Sequence, residues 1–214
     1  MKENGKTCLS ENGGCKSVGK KSFSLILARI VRVITVAPIM SLVLFTVLLF
    51  TGGVFENTGE YVTAILLLTV LPLTAYPLQK VLPPFKGRGR DGQRTLAMIM
   101  ANVGYILSII YALAFNVSAG LLMLFLTYLV SGAVLLVINK AFGIKASGHA
   151  CGLIGPVTAL AYFTGWISVA VGAVLFALVF WGSLKTGRHT VPQLICGAVV
   201  PVVVFTLLVN VIPI

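Results

Sequence analysis

Long apolar runs separated by short polar ones make up the chain from Phe23 onward. Seven of them are near the length at which an apolar helix crosses about 30 Å of hydrocarbon. They lie near 33–51, 61–79, 95–117, 119–138, 149–163, 165–184 and 192–212. The pattern predicts an all-α protein, a polytopic transmembrane helical bundle of about six to seven spans. The fifth run is short and holds Gly152, Gly155 and Pro156, so a tilted, kinked or wholly protein-packed helix is expected there. Only Asn116–Gly120 separates runs three and four, and Tyr162–Trp166 runs five and six, which predicts two tight hairpins. Ahead of the first run, Phe23–Arg32 mixes apolar residues with Arg29 and Arg32. That suits a short interfacial helix or the basic beginning of the first span. Residues 1–22 are polar and read as a cytoplasmic tail, and 23–214 as the membrane domain.

Composition sharpens the picture. Of 214 residues, 58% are apolar and 10% charged, and the mean hydropathy is +1.04. A soluble domain carries roughly a quarter charged residues, so an ordinary soluble enzyme and a nucleic-acid module are both excluded. Sixteen Lys and Arg against five Asp and Glu leave +11. With seven spans, loops 80–94, 139–148 and 185–191 return to the amino-terminal face. Every Lys and Arg falls on that face, and Glu56 and Glu60 fall opposite. By the positive-inside rule this predicts a multi-pass cell-membrane protein with its amino terminus and three basic loops in the cytoplasm. No charged side chain lies mid-span, which argues against a proton-coupled transporter or an ion channel.

The charged and nucleophilic inventory narrows the chemistry. Asp91 is the one aspartate, and no two acids form a short-spaced pair, so a carboxylate-held Mg²⁺ site is not expected. Cys8, Cys15, Cys151 and Cys196 do not stand at zinc-site spacings from His149 or His189. No metal and no cofactor are expected. Three loops hold most of the reactive groups: one carries Lys86, Arg88, Arg90 and Arg94, the second runs from Lys145 to His149, and the third from Lys185 to Thr190. Ser147 reads as a helix N-cap with Gly148 and His149 in the first turn, where free N–H groups favour an anion. Pro192 marks the next helix start just after His189. Two histidines, several cations and helix N-termini suit metal-independent phosphoryl transfer through a phosphohistidine. One imidazole attacks phosphorus while the other protonates the departing oxygen. Against this stands the plainer reading: a boundary histidine is commonly an interfacial polar group, and Lys86, Arg88 and Arg90 commonly set topology.

Ser147-Gly148-His149 before an apolar helix, then Gly187-Arg188-His189-Thr190 some forty residues later, resembles the type-2 phosphatidic acid phosphatase superfamily of integral membrane lipid phosphatases. Its motifs are Lys, six residues, Arg-Pro; then Pro-Ser-Gly-His; then Ser-Arg, five residues, His, three residues, Asp. The likeness covers roughly residues 80–200. It implies His189 as nucleophile and His149 as general acid, with Lys86, Arg94, Ser147 and Gly148 holding phosphate. Several positions depart from the motifs. Seven residues separate Lys86 from Arg94, and Thr95 and Ala146 replace prolines. Gly182-Ser183 replace Ser-Arg, so the phosphate-binding arginine is missing, and Lys185 or Arg188 is the available substitute. Gln193 stands at the orienting aspartate; it can accept a hydrogen bond from His189 but cannot stabilise an imidazolium as a carboxylate does.

The resulting expectation is a membrane phosphatase that hydrolyses a lipid phosphate or diphosphate, such as phosphatidic acid or an isoprenyl diphosphate, without a metal. Its partners are the lipid substrate and the bilayer, with no nucleic acid. Two alternatives stay open: a lipid phosphotransferase, and a non-catalytic membrane protein that binds anionic lipids.

Overall fold

The structure, a computed structural model, describes residues 23–212. The polar tail 1–22, with Cys8 and Cys15, and the last two residues lie outside the described residues. Helix α1 (Phe23–Ile34) leads into α2 (Ala37–Thr51). A continuous span follows, made of α3 (Thr58–Ile65), a π-helical turn (Leu66–Val70) and α4 (Leu71–Leu78). Then come α5 (Gly89–Phe115), α6 (Ala119–Ala141), α7 (Gly148–Thr164), α8 (Trp166–Lys185) and α9 (Val191–Val211). No strand occurs among the described residues. The fold is an all-α helical bundle in which all seven apolar runs are helical.

The span count differs in detail from the sequence reading. Among the described residues, five spans are long and apolar enough to cross a membrane: Thr58–Leu78, most of α5, and α6, α8 and α9. Helices α1 and α2 make a sixth candidate as one span bent by 54°. The bend follows from Pro38 in the first turn of α2, which cannot donate a backbone hydrogen bond to the preceding turn. Val36 there is extended, with φ −66° and ψ 146°. Helix α7 has 17 residues, about 25 Å at 1.5 Å per residue. It falls short of the hydrocarbon thickness and is packed among α2, α6, α8 and α9. A second difference lies in α5, which begins at Gly89 rather than near 95 and so takes Arg94 into the helix. Asp91 in its first turn favours that earlier start, because a carboxylate there complements the helix dipole.

Prolines and glycines explain the close packing. Pro72 has no N–H for the Leu68 carbonyl one turn back; the Ser41 hydroxyl of α2, shared with the Pro38 carbonyl at 2.8 Å, lies 3.0 Å from it as a donor. A side chain at Gly152 of α7 would strike Ala37, at the start of α2. One at Gly197 of α9 would strike the carbonyl oxygen of Ser147. Small residues thus allow backbones to touch, and α7 is fixed at its amino-terminal end against both neighbours. We expect Gly197→Ala to destabilise the fold by about 1–3 kcal/mol through overpacking. Thermal unfolding in detergent reads this as a lowered midpoint, and an unchanged midpoint would show that α7 and α9 can part at no cost.

The two ends of the bundle differ in character. At one end, the hydroxyl of Ser118 before α6 donates to the Val54 carbonyl at 2.6 Å, tying the 116–118 turn to the 52–57 loop. Glu60 is buried there; its carboxylate accepts the Glu56 N–H at 2.9 Å, and its own N–H donates to the N-cap Asn57 at 3.0 Å. The large side chains Phe45, Phe125, Leu44, Leu48, Leu121 and Leu124 fill the core toward this end. Every lysine and arginine among the described residues belongs to the opposite end, in α1, at helix boundaries or in the loops 79–88, 142–147 and 186–190.

Candidate functional site

At the basic end, the start of α7 is locked before any side-chain chemistry is considered. Ser147 is the N-cap: its hydroxyl oxygen accepts the Ala150 N–H at 3.3 Å, and the residue is 0% exposed. Its own N–H donates to the Gln193 carbonyl of α9 at 2.9 Å. The Ser147 hydroxyl is therefore occupied and enclosed. The N–H groups of Gly148 and His149, in the first turn, have no acceptor within the helix.

Gln193 also fixes His189, which precedes α9. Its Oε1 accepts from the Thr190 N–H at 3.2 Å and lies 3.3 Å from His189 Nδ1. An amide oxygen only accepts, so the bond assigns the proton of neutral His189 to Nδ1 and leaves a lone pair on Nε2. Partial burial lowers the pKa of His189 below the ordinary imidazole value; the Gln193 hydrogen bond opposes this, and Arg94, Arg32 and Arg188 reinforce it. The neutral, nucleophilic form therefore persists to lower pH than in a free imidazole.

The second imidazole is held from the turn that follows α1. His149 Nε2 lies 3.0 Å from the hydroxyl of Thr35, which is 2% exposed. That hydroxyl donates its proton to the Val31 carbonyl at 2.7 Å, so its oxygen accepts and His149 Nε2 carries the hydrogen. Nδ1 is then the nitrogen left for proton exchange with a ligand. Three residues before Thr35, Arg32 Nη1 donates to the Thr186 hydroxyl at 3.3 Å, and Thr186 in turn donates to the Gly182 carbonyl at 2.7 Å. Arg32 and His189 lie close enough to His149 to act on it electrostatically.

Of the sequence-predicted site residues, the structure gathers His149, His189, Ser147, Gly148, Arg94, Arg188 and Gln193 at this one place. Lys86 and Lys185 are exposed, and their side chains make no hydrogen bond or ion pair among the described residues. Arg32, Thr35 and Thr186 join the site without having been singled out for it. Cys151 and Cys196 are free thiols, and no three His, Cys, Asp or Glu side chains converge among the described residues. An apolar groove of about 230 Å³ opens between α7, α8 and α9, lined in part by Ile154, Phe176, Ile195 and Val199. Ile195 stands two residues beyond Gln193 on α9 and so faces a different side of that helix, and none of the site residues lines the groove. Comparison with family models, with curated proteins and with solved structures gives no match.

Proposed function

We propose that this protein is a metal-independent membrane phosphatase acting on a lipid phosphate or diphosphate. The observation that carries the reading is the meeting of two histidines, one held through Nδ1 and the other through Nε2, among three arginines. His189 presents an Nε2 lone pair because Gln193 holds its Nδ1–H, and Thr35 fixes the ring of His149 through Nε2. In the first step Nε2 of His189 forms a bond to phosphorus as the bond from phosphorus to the lipid oxygen breaks. The electron pair leaves on that oxygen, which takes a proton from the protonated form of His149 through Nδ1. In the second step water, losing a proton to His149, attacks phosphorus and breaks the P–N bond, releasing phosphate and regenerating both imidazoles. The arginines and the free amides at the start of α7 offset charge on the phosphoryl oxygens. The bilayer around the bundle can hold the hydrocarbon tail of such a substrate while its head group reaches the basic end. That end faces the cytoplasm on the positive-inside argument.

The test is phosphate release by the purified protein from a panel of lipid monophosphates and diphosphates, with and without EDTA. Release insensitive to EDTA supports the reading, and no release from any member contradicts it. One feature favours a second reading, the non-catalytic lipid binder: Gln193 is neutral and so stabilises an imidazolium at His189 less than a carboxylate would. Tight binding of the same lipids without turnover is its signature. Release accelerated by an alcohol, with the phosphoryl group recovered on that alcohol, would mark a phosphotransferase.

The same residue gives a pH prediction. A carboxylate at 193 favours the cationic imidazole and raises the pKa of His189, against the lowering by burial, Arg94, Arg32 and Arg188. Less neutral nucleophile is then present at low pH. In Gln193→Asp the acid limb of kcat/KM moves to higher pH than in the unaltered protein, and a pH–rate profile measures it. An unmoved limb would separate His189 from the rate-limiting ionisation.

A further inference from the structure

Helix α1 lies outside the segment that carries the two histidine motifs, and its arginines read most simply as topology signals. Its placement says more. Gly182 of α8 faces Ala28, with a hypothetical Cβ only 3.3 Å from the Ala28 carbonyl oxygen, so α1 lies flat on the carboxyl-terminal end of α8. Ala28 and Val31 are buried in that contact region, while Arg29 is exposed. Arg32, one turn after Ala28 and next to Val31, is half-buried at the edge of this contact. Its guanidinium reaches Thr186, three residues before His189, and acts electrostatically on His149 and His189 alike. Arg94 and Arg188 also act on His189. Thr186 is spoken for as a donor by the Gly182 carbonyl, so its oxygen serves to orient Arg32.

We infer that Arg32 is a phosphate-binding residue of the site, delivered by α1 to the space between the two imidazoles. The inference rests on the phosphatase reading and adds to it the element that completes the site. A planar, permanently charged fork suits two phosphoryl oxygens at once, and among the described residues Arg32 is a cation that acts on both nucleophile and acid. In consequence the segment 80–200 is not sufficient by itself: α1 must be docked for phosphate to be held.

The experiment compares Arg32→Gln, Arg32→Lys and Arg29→Gln in the full-length protein, using a lipid phosphate that the unaltered protein hydrolyses. Inhibition by orthovanadate, an inorganic mimic of the phosphoryl group in transfer, is read alongside turnover. Arg32→Gln should lower kcat/KM by on the order of a hundredfold and weaken vanadate inhibition in parallel. Arg32→Lys should recover part of both, and Arg29→Gln should change neither. Vanadate affinity in Arg32→Gln equal to that of the unaltered protein would overturn the inference, as would equal losses in Arg29→Gln, which would point to bulk charge. Unfolding midpoints of the three variants matching the unaltered protein tie the loss to phosphate rather than to folding; should Arg32→Gln fail to fold, a loss of vanadate inhibition confined to the folded Arg32→Lys variant supports the inference and full inhibition overturns it. Absence of any phosphate release from the unaltered protein would instead count against the phosphatase reading.

Discussion

Replacing His189 by alanine should reduce phosphate release from a lipid substrate to background, a loss of roughly 10⁴-fold or more, as expected when a covalent nucleophile is removed. The local structure gives no reason for the fold to follow. Gln193 keeps its second donor, the Thr190 N–H at 3.2 Å, and its carbonyl keeps Ser147, so the start of α9 and its tie to α7 persist. Lipid binding should survive in His189→Ala because Arg32, Arg94 and Arg188 remain. Release at the unaltered rate from His189→Ala would remove the nucleophile from the mechanism.

Replacing His149 by alanine should have the next largest effect, and one that depends on the substrate. A general acid contributes about 10²–10⁴-fold, and it does so in proportion to how poor the leaving group is. An alkoxide from a lipid monophosphate needs the proton; a nitrophenolate or the phosphate leaving from a diphosphate needs it far less. His149→Ala should therefore abolish most turnover of a lipid monophosphate while sparing much of the turnover of a nitrophenyl phosphate. Thr35 loses a partner in this variant but keeps its bond to the Val31 carbonyl, so α1 need not move. Equal losses on both substrates would assign His149 to binding or structure instead.

Hydropathy made the seven apolar runs legible as helical, since a run of some twenty apolar residues leaves the backbone few other ways to satisfy its hydrogen bonds in lipid. It misjudged where single helices begin and end. Arg94 reads as a loop residue because it is charged, yet α5 simply extends beyond the apolar stretch. The Ser147 cap, the bond from Gln193 to His189 and the helix start after Thr190 depend on residues three or four apart, and such spacings are visible in a sequence. Arg32 and Thr35 were not legible in the same way. Their partners Thr186 and His149 are 154 and 114 residues away, and the contact exists because Gly182 lets α1 approach α8. One sequence carries no signal for that approach, so Arg32 reads as one more basic residue beside a span. Lys86 and Lys185 stand exposed without a hydrogen bond or ion pair among the described residues, so no local contact fixes where their charges act.

The central claim is that phosphoryl transfer here runs through a covalent bond to His189. Brief exposure of the purified protein to a lipid carrying a radiolabelled phosphate, quenched in alkali, tests it most directly. The account predicts label held on the protein in an acid-labile, alkali-stable form on His189, and none in His189→Ala. Turnover of the labelled lipid with no protein-bound label before the first phosphate is released, or label that persists in His189→Ala, would contradict it.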